Sequence, residues 1–204
     1  MASSIPASGP AAASHGDSVD HDLKLRRGML FYVLTDVLFV IFLLATYIWL
    51  RAYHAPGWFP DGTKLPAEQN VYILTGLCVL SAVFFFIGFM GLRNGSTTTL
   101  TICMTIATLL IIGALVGQII FMGHLPFTTG DGSFASDYIM LSGYHVYHLL
   151  LGTFLGLGVT IRAIRGRYNS DRTAGLSAIS YYWLWMALTP VLITVMMIVL
   201  PPNG

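Results

Sequence analysis

The chain has 204 residues, of which 55% are hydrophobic and only 9% are charged, and its mean hydropathy is +0.74. Soluble globular proteins carry about 25% charged residues, so the composition excludes a soluble domain and indicates an integral membrane protein. The net charge is only +1, and no basic stripe or long Lys/Arg run is present, so no nucleic-acid partner is expected.

The first 23 residues form a polar segment rich in Ala, Ser, Pro and Gly. The segment contains His15, His21 and three aspartates, and it has no apolar core of the kind that a signal peptide needs. We therefore predict a mobile polar tail over residues 1–23 and a single transmembrane domain over residues 24–204.

Five apolar stretches follow, and each is long enough to cross a bilayer as a helix, which takes about 20 residues. The predicted spans are residues 28–50, 70–92, 98–122, 139–164 and 177–200. Only Arg-Asn-Gly-Ser-Thr separates the second span from the third, which predicts a tight hairpin, and Pro201 ends the last span. The predicted fold class is all-α, an integral membrane bundle of five transmembrane helices.

The basic residues predict the orientation of this bundle. Only Arg51 and Lys64 lie on one side, and the other eight lie on the opposite side: Lys24, Arg26, Arg27, Arg93, Arg162, Arg165, Arg167 and Arg172. Because cytoplasmic loops carry an excess of Lys and Arg, we expect a cytoplasmic N-terminus and an external C-terminus. The loops at residues 52–69 and 123–138 are then external.

Asp36 is the only carboxylate that these predicted spans place well inside the membrane. It lies eight residues after Gly28, roughly 12 Å into the first span at 1.5 Å per residue, and it follows Thr35. A carboxyl group at that depth is protonated, paired, or reached by water. Two hypotheses stay open: Asp36 is a proton-uptake site, or it makes a structural hydrogen bond to a neighbouring helix.

Two histidines and a glutamine are the other polar side chains that stand out inside the spans. His145 and His148 are three residues apart, so they share one helix face, and Gly152 continues that face by another turn. Gln118 lies deep in the third span. Such groups usually face the bundle interior, so we interpret Thr35, Gln118, His145, His148 and Gly152 as intramembrane polar packing.

The chain carries no recognisable catalytic signature. There is no CxxC, HExxH, Walker-type or GxSxG pattern, so we assign no catalytic residue and no metal site. Arg162, Arg165 and Arg167 cluster at the cytoplasmic headgroup level, where they are either lipid headgroup ligands or simply anchors of the positive-inside kind.

Several of these residues resemble one family, the five-helix form of subunit III of haem-copper terminal oxidases. Thr35-Asp36-Val-Leu-Phe39 is similar to its first-helix motif, in which Asp or Glu follows Ser/Thr. Gly143-Tyr-His145-Val-Tyr-His148 with Gly152 resembles the family's Gly-x-His-Gly-x-His-Val-x-x-Gly, with Val146 at the middle glycine. The resemblance extends from about Leu25 to Leu200.

The chain also departs from the family pattern in two places. Gly113 and Gln118 resemble the residues before the family's Gln-x-x-Glu, but Phe121 replaces that glutamate. Tyr182-Trp183 matches the start of Tyr-Trp-His-Phe-x-Asp-x-x-Trp; the later His, Asp and Trp are replaced by Leu184, Ala187 and Pro190. The chain is therefore identified as a divergent member.

The resemblance implies an accessory subunit, part of an oxidoreductase complex but without redox centres of its own. Haem and copper are then expected in a partner, the catalytic subunit I, which reduces oxygen to water and pumps protons, with the other oxidase subunits also present. Bound phospholipid and membrane lipids are expected contacts. The expected location is the inner (plasma) membrane of a prokaryote, as a multi-pass protein.

Three alternatives stay open beside this interpretation. A di-haem b membrane anchor would use histidines on facing helices as axial ligands, and His124, His145 and His148 all lie toward the outer side. An accessory protein of a nitric-oxide reductase is the second alternative. A transporter that couples through Asp36 is the third, although the halves of the chain show no repeat.

Overall fold

The computed structural model describes residues 10–53, 58–59, 68–168 and 173–200, with side chains in the first helix from Asp22 onward. This part of the chain is helical and holds no strand. The helices are α1 (Pro10–Tyr53), α2 (Glu68–Arg93), α3 (Thr97–Gly123), α4 (Ser133–Ile164) and α5 (Ala174–Val199). All five contain a stretch long and apolar enough to cross a membrane, which confirms the predicted fold class.

All five helices begin before the predicted spans, and for α1 and α4 the difference exceeds one helical turn. α1 starts at Pro10, so residues 10–23 are helical where a polar tail was predicted; residues 1–9 lie outside the described part. Proline suits the first helical position, because the missing N–H has no helix partner there, and the alanines that follow favour helix. α4 starts at Ser133, not at Ile139, and its first turns bury Phe134 and Tyr138 at helical spacing.

The predicted hairpin between α2 and α3 is present. Gly95 has a φ of 82°, its N–H donates to Leu92 O at 2.9 Å, and the Ser96 N–H donates to Gly91 O at 2.9 Å. This is the glycine-dependent end of a helix, in which a left-handed residue returns the chain. The Ser96 hydroxyl then accepts from the Thr99 N–H at 3.3 Å and caps α3.

The helices pack as a bundle in which α1 has few neighbours. In the described part, α1 packs against α4 and α5 but not against α2 or α3, while α3 lies between α2 and α4. We call the end that carries Arg27, Arg93 and Arg162 the basic end. One buried cluster, around Phe85 and Trp183, lies in the half toward this end, and a second, around Tyr47 and Phe134, lies toward the opposite end.

Candidate functional site

Asp36 lies at the junction of three helices. Its side chain is only 8% exposed, and its carboxylate accepts hydrogen bonds from the Tyr144 hydroxyl and His148 on α4 and from the indole N–H of Trp185 on α5. The structure therefore shows that the carboxyl group is paired.

The hydrogen bonds of His148 define where protons lie in this pair. Its Nδ1 is 2.8 Å from the carbonyl oxygen of Tyr144, and its Nε2 is 2.6 Å from Asp36 Oδ2. A carbonyl oxygen only accepts, so Nδ1 must carry a hydrogen. The short contact between Nε2 and Oδ2 then holds a second proton, which belongs either to the imidazole or to the carboxyl group. The pair thus shares one proton inside the bundle.

The fold fixes the position of His148 from several sides. Its side chain has no exposed surface, and the Tyr182 hydroxyl on α5 donates to its backbone carbonyl at 2.7 Å. The Tyr144 ring lies edge-on to the imidazole, with the ring centroids 4.4 Å apart. His148 precedes Arg162 by 14 residues, about 21 Å along the helix, so the pair lies near mid-membrane.

His145 shares the helix face of His148 but not its hydrogen bonds. It is 5% exposed, its Nε2 lies 3.9 Å from Cys78 Sγ on α2, and its Nδ1 has no partner among the described residues. Cys78 and Cys103 are both buried free thiols. The two histidines of the predicted polar set therefore have different surroundings, and only His148 pairs with Asp36.

Gly152 lies where α4 meets its neighbours. A Cβ atom at this position would overlap Met186 Sδ on α5 and would lie 3.6 Å from Ile111 Cγ2 on α3. One turn further, a Cβ at Gly156 would lie 2.8 Å from Thr108 Oγ1 and 2.9 Å from the Trp183 ring. Both positions permit close helix contact because they lack a side chain.

Thr35 and Gln118, also predicted as polar packing, do not join this site. Thr35 is exposed, and its hydroxyl donates to Phe31 O, 2.9 Å away on its own helix. Gln118 is buried on α3, a helix that does not pack against α1 in the described part. Thr35 therefore lies on the outer surface of α1 and Gln118 lies on the buried side of α3, and neither forms part of the Asp36 site.

The predicted arginine cluster lies at the basic end, with Arg162, Arg165 and Arg167 all exposed. α4 ends there at a left-handed Gly166, whose N–H donates to Ala163 O while the Arg167 N–H donates to Arg162 O, both at 3.0 Å. Burial raises the pKa of the nearby Tyr168 hydroxyl, although the Arg162 guanidinium acts in the opposite direction.

Sequence reasoning missed Tyr144, Trp185 and Asp137. Tyr144 precedes His148 by four residues, and this spacing predicts a shared helix face. Trp185 had no such signal, because its partner Asp36 lies 149 residues away along the chain. Asp137 was placed in the predicted external loop, whereas it lies in α4 and is 5% exposed.

The donor set at Asp36 is not a metal centre of the usual kind. Among the described residues, no group of three or more His, Cys, Asp or Glu side chains is arranged to hold a metal ion. Asp36 and His148 provide two such side chains, and protein zinc sites use three or four. Their geometry instead suits sharing one proton.

Comparison with known proteins gives a family match over almost the whole chain. The family model described as cytochrome c oxidase subunit III matches residues 4–200. This range includes every residue of the Asp36 site.

Individual relatives, each named cytochrome c oxidase subunit 3, are similar at low identity. The protein of Petromyzon marinus is 25% identical over 169 residues, which cover 78% of this chain and 63% of the relative. That of Polypterus ornatipinnis is 26% identical, with the same coverage. That of the cyanobacterium Synechocystis sp. is 27% identical over 186 residues, or 86% of this chain and 77% of the relative. The chain thus spans about 63% of the length of the first two relatives.

Proposed function

This chain belongs to the cytochrome c oxidase subunit III family, whose model covers residues 4–200, and from this membership we propose that it is a non-catalytic accessory subunit of a haem-copper respiratory oxidase. In this role it binds the catalytic subunit I, which carries the haem and copper, alongside the other oxidase subunits. The family match is the observation that carries the proposal.

The Asp36 site supports a more specific role for the subunit. A buried carboxylate and imidazole that share one proton, at a junction of α1, α4 and α5, are chemically suited to proton exchange. We propose that this pair supports proton uptake by the neighbouring catalytic subunit while performing no redox chemistry itself. The alternative is a purely structural tie between the helices.

The orientation of the chain in the membrane is proposed from the distribution of its basic residues. With the basic end in the cytoplasm, the N-terminus is cytoplasmic and the C-terminus external. Exposed Arg162, Arg165 and Arg167 then lie at headgroup level, where they suit a bound phospholipid. Similarity to a cyanobacterial relative supports a prokaryotic plasma membrane as the location.

The first test is the composition of the native complex. After gentle solubilisation, mass spectrometry should find this chain together with a large haem- and copper-bearing subunit. Recovery of the chain as a free monomer without such a partner would contradict the proposal.

An optical spectrum of the isolated chain tests the rival di-haem anchor. Both ring nitrogens of His148 are occupied by Tyr144 O and Asp36. The other buried histidine of the described residues, His145, lies on the same helix, so no two buried histidines face each other from different helices as axial haem ligands would. We therefore expect no b-type band in the reduced-minus-oxidised spectrum of the isolated chain. A b-type band would favour the anchor, and a co-purifying nitric-oxide reductase core would favour that complex instead.

Asp36→Asn tests the proton-uptake role. Asparagine keeps an oxygen acceptor for Trp185 and an amide that donates to the Tyr144 hydroxyl, but it cannot carry the exchangeable proton. We expect the assembled complex to turn over more slowly or to inactivate sooner, most visibly at high pH, where protons are scarce. The measurement is oxygen consumption and proton pumping across pH.

Thr35→Val is the matched control, because Thr35 precedes Asp36 but is exposed, and among the described residues its hydroxyl bonds only to its own helix. It should match wild type at every pH. If the Asp36→Asn complex assembles and also matches wild type in turnover, pumping and lifetime, then Asp36 is structural and the uptake role is refuted.

A further inference from the structure

Tyrosines cluster around the Asp36–His148 pair, well inside the spans. Three of their rings lie near the imidazole of His148, at centroid distances of 4.4 Å for Tyr144, 5.6 Å for Tyr147 and 6.4 Å for Tyr182. Tyrosine is usually enriched at the two membrane–water interfaces, where its hydroxyl meets water. The position of this cluster therefore needs an explanation of its own.

Tyr147 is the member of this cluster that the fold exposes. Its side chain is 51% exposed, and it lies 14 residues after Ser133 and 17 residues before Ile164, in the middle of α4. Both helix ends are roughly 20 Å or more away at 1.5 Å per residue, so the exposed ring lies at the depth of the acyl chains. A phenol at this depth meets no water, but it can donate its hydrogen atom to a lipid peroxyl radical, as phenolic antioxidants do.

Tyr144 differs from Tyr147 because its hydroxyl already has a proton acceptor. It donates to one carboxylate oxygen of Asp36, and the other oxygen lies 2.6 Å from His148 Nε2. A phenol that loses an electron becomes a strong acid, so it is oxidised most easily where its proton can move along a hydrogen bond at the same time. The Tyr144 ring stacks on that of Tyr147, with the centroids 6.4 Å apart. An electron can therefore pass from Tyr144 to Tyr147.

Tyr32 connects the exposed tyrosine to the pair. It lies on α1 one turn before Asp36, and its buried hydroxyl has no partner within hydrogen-bond distance among the described residues. At longer range this hydroxyl interacts with both the Tyr147 hydroxyl and Asp36. Because no short bond fixes its direction, the Tyr32 hydroxyl can turn between these two groups and carry a proton from one to the other.

We propose that Tyr147 removes lipid peroxyl radicals from the membrane and that Tyr144 then takes over the radical. In the first step the O–H bond of Tyr147 breaks, and its hydrogen atom forms the O–H bond of a lipid hydroperoxide. The peroxyl radical is reduced by this step, and a neutral phenoxyl radical remains on Tyr147.

The second step moves the radical away from the acyl chains. Tyr144 gives one electron to Tyr147 and its phenolic proton to Asp36. The Asp36–His148 pair gives one proton through Tyr32 to the Tyr147 oxygen, which restores that O–H bond. The radical is then on Tyr144, whose oxygen is held at Asp36. Asp36 and His148 exchange protons in this sequence but are neither oxidised nor reduced.

The test exposes the purified full-length chain, in bilayers of dilinoleoyl phosphatidylcholine, to peroxyl radicals from a lipid-soluble azo initiator. Samples are frozen at intervals for electron paramagnetic resonance, and lipid hydroperoxide is measured in parallel. Wild type should show a tyrosyl radical and should slow the accumulation of hydroperoxide. Tyr147→Phe should lose both effects.

Two further variants test the second step. Tyr144→Phe removes the electron donor, and Asp36→Asn removes the proton acceptor, while both keep Tyr147. In each variant the radical should form but stay on the exposed Tyr147 ring, so it should decay faster than in wild type. Helix content from circular dichroism checks that each variant is folded.

Tyr72→Phe is the matched control. Tyr72 is 47% exposed, close to the value for Tyr147, but it lies four residues after Glu68, at the start of α2 and thus near the interface. It should keep the wild-type radical and the wild-type rate of hydroperoxide accumulation.

Absence of a tyrosyl radical in wild type would overturn the proposal, and this measurement needs no variant. A wild-type radical in Tyr147→Phe would also overturn it, and so would a wild-type radical lifetime in either Tyr144→Phe or Asp36→Asn. None of these readouts involves haem or oxygen reduction, so they do not depend on the oxidase assignment.

Discussion

Asp36→Ala should destabilise the folded bundle by about 3–5 kcal/mol, the usual cost of removing one partner from a buried pair. Alanine would leave the Tyr144 hydroxyl, the Trp185 indole N–H and the His148 imidazole without their acceptor in the interior. The measurement is the free energy of unfolding of the purified chain, from helix content during denaturing-detergent titration of mixed micelles.

A double-mutant cycle separates the energy of the Asp36–His148 interaction from the cost of truncating either side chain. Asp36→Ala with His148→Ala should cost clearly less than the sum of the single changes, because neither partner is then left unpaired. Thr35→Ala, at an exposed neighbouring position, should lie within about 0.5 kcal/mol of wild type. A cost of that small size for Asp36→Ala would show that the pair does not stabilise the bundle.

Gly152→Leu should cost about 1–3 kcal/mol or more, the range for overpacking a well-filled interior. Even a Cβ atom at this position would overlap Met186 Sδ, and the rest of a leucine side chain would separate α4 from α5. In the proposed oxidase complex we expect weaker retention of the subunit with an unchanged haem spectrum. The same unfolding titration and an optical spectrum of the complex are the measurements.

Gly158→Leu is the control for this substitution. Gly158 is on the same helix, but it is exposed, and a Cβ there would have no atom of the described residues within 4 Å. It should therefore retain the stability of wild type. If both variants lost the same free energy of unfolding, the effect would come from the helix backbone and not from the contact with Met186.

Much of the fold was predictable because hydropathy and turn chemistry are local signals. The four-residue separation of Arg93 and Thr97, with Gly95 between them, was sufficient to predict the hairpin. The start of α4 was not predictable in this way, because its first turns are amphipathic and follow a loop rich in glycine. Hydropathy therefore placed the boundary at Ile139, six residues too late.

The site was predictable only in part. Asp36 and His148 stood out because each is a polar residue in an apolar span, but nothing local showed that they meet. The contact joins residues 112 positions apart, and Trp185 is further still from Asp36 in sequence. Thr35 was predicted to pack in the interior because it is polar, but its side chain faces outward, so polarity alone did not predict its position.

The long sequence separation within the Asp36 pair also has a consequence for biogenesis. α1 is synthesised more than a hundred residues before His148, so it enters the membrane when the partners of its carboxyl group do not yet exist. One aspartate at a helix centre costs roughly 2.5–3.5 kcal/mol during insertion. The apolar residues of this span, whose mean hydropathy is 2.3, favour insertion and act against that cost. α2 and α3, in contrast, are joined by a short turn and can associate as soon as both have emerged. The junction of α1 with α4 and α5 is therefore completed last, after α5 has been inserted.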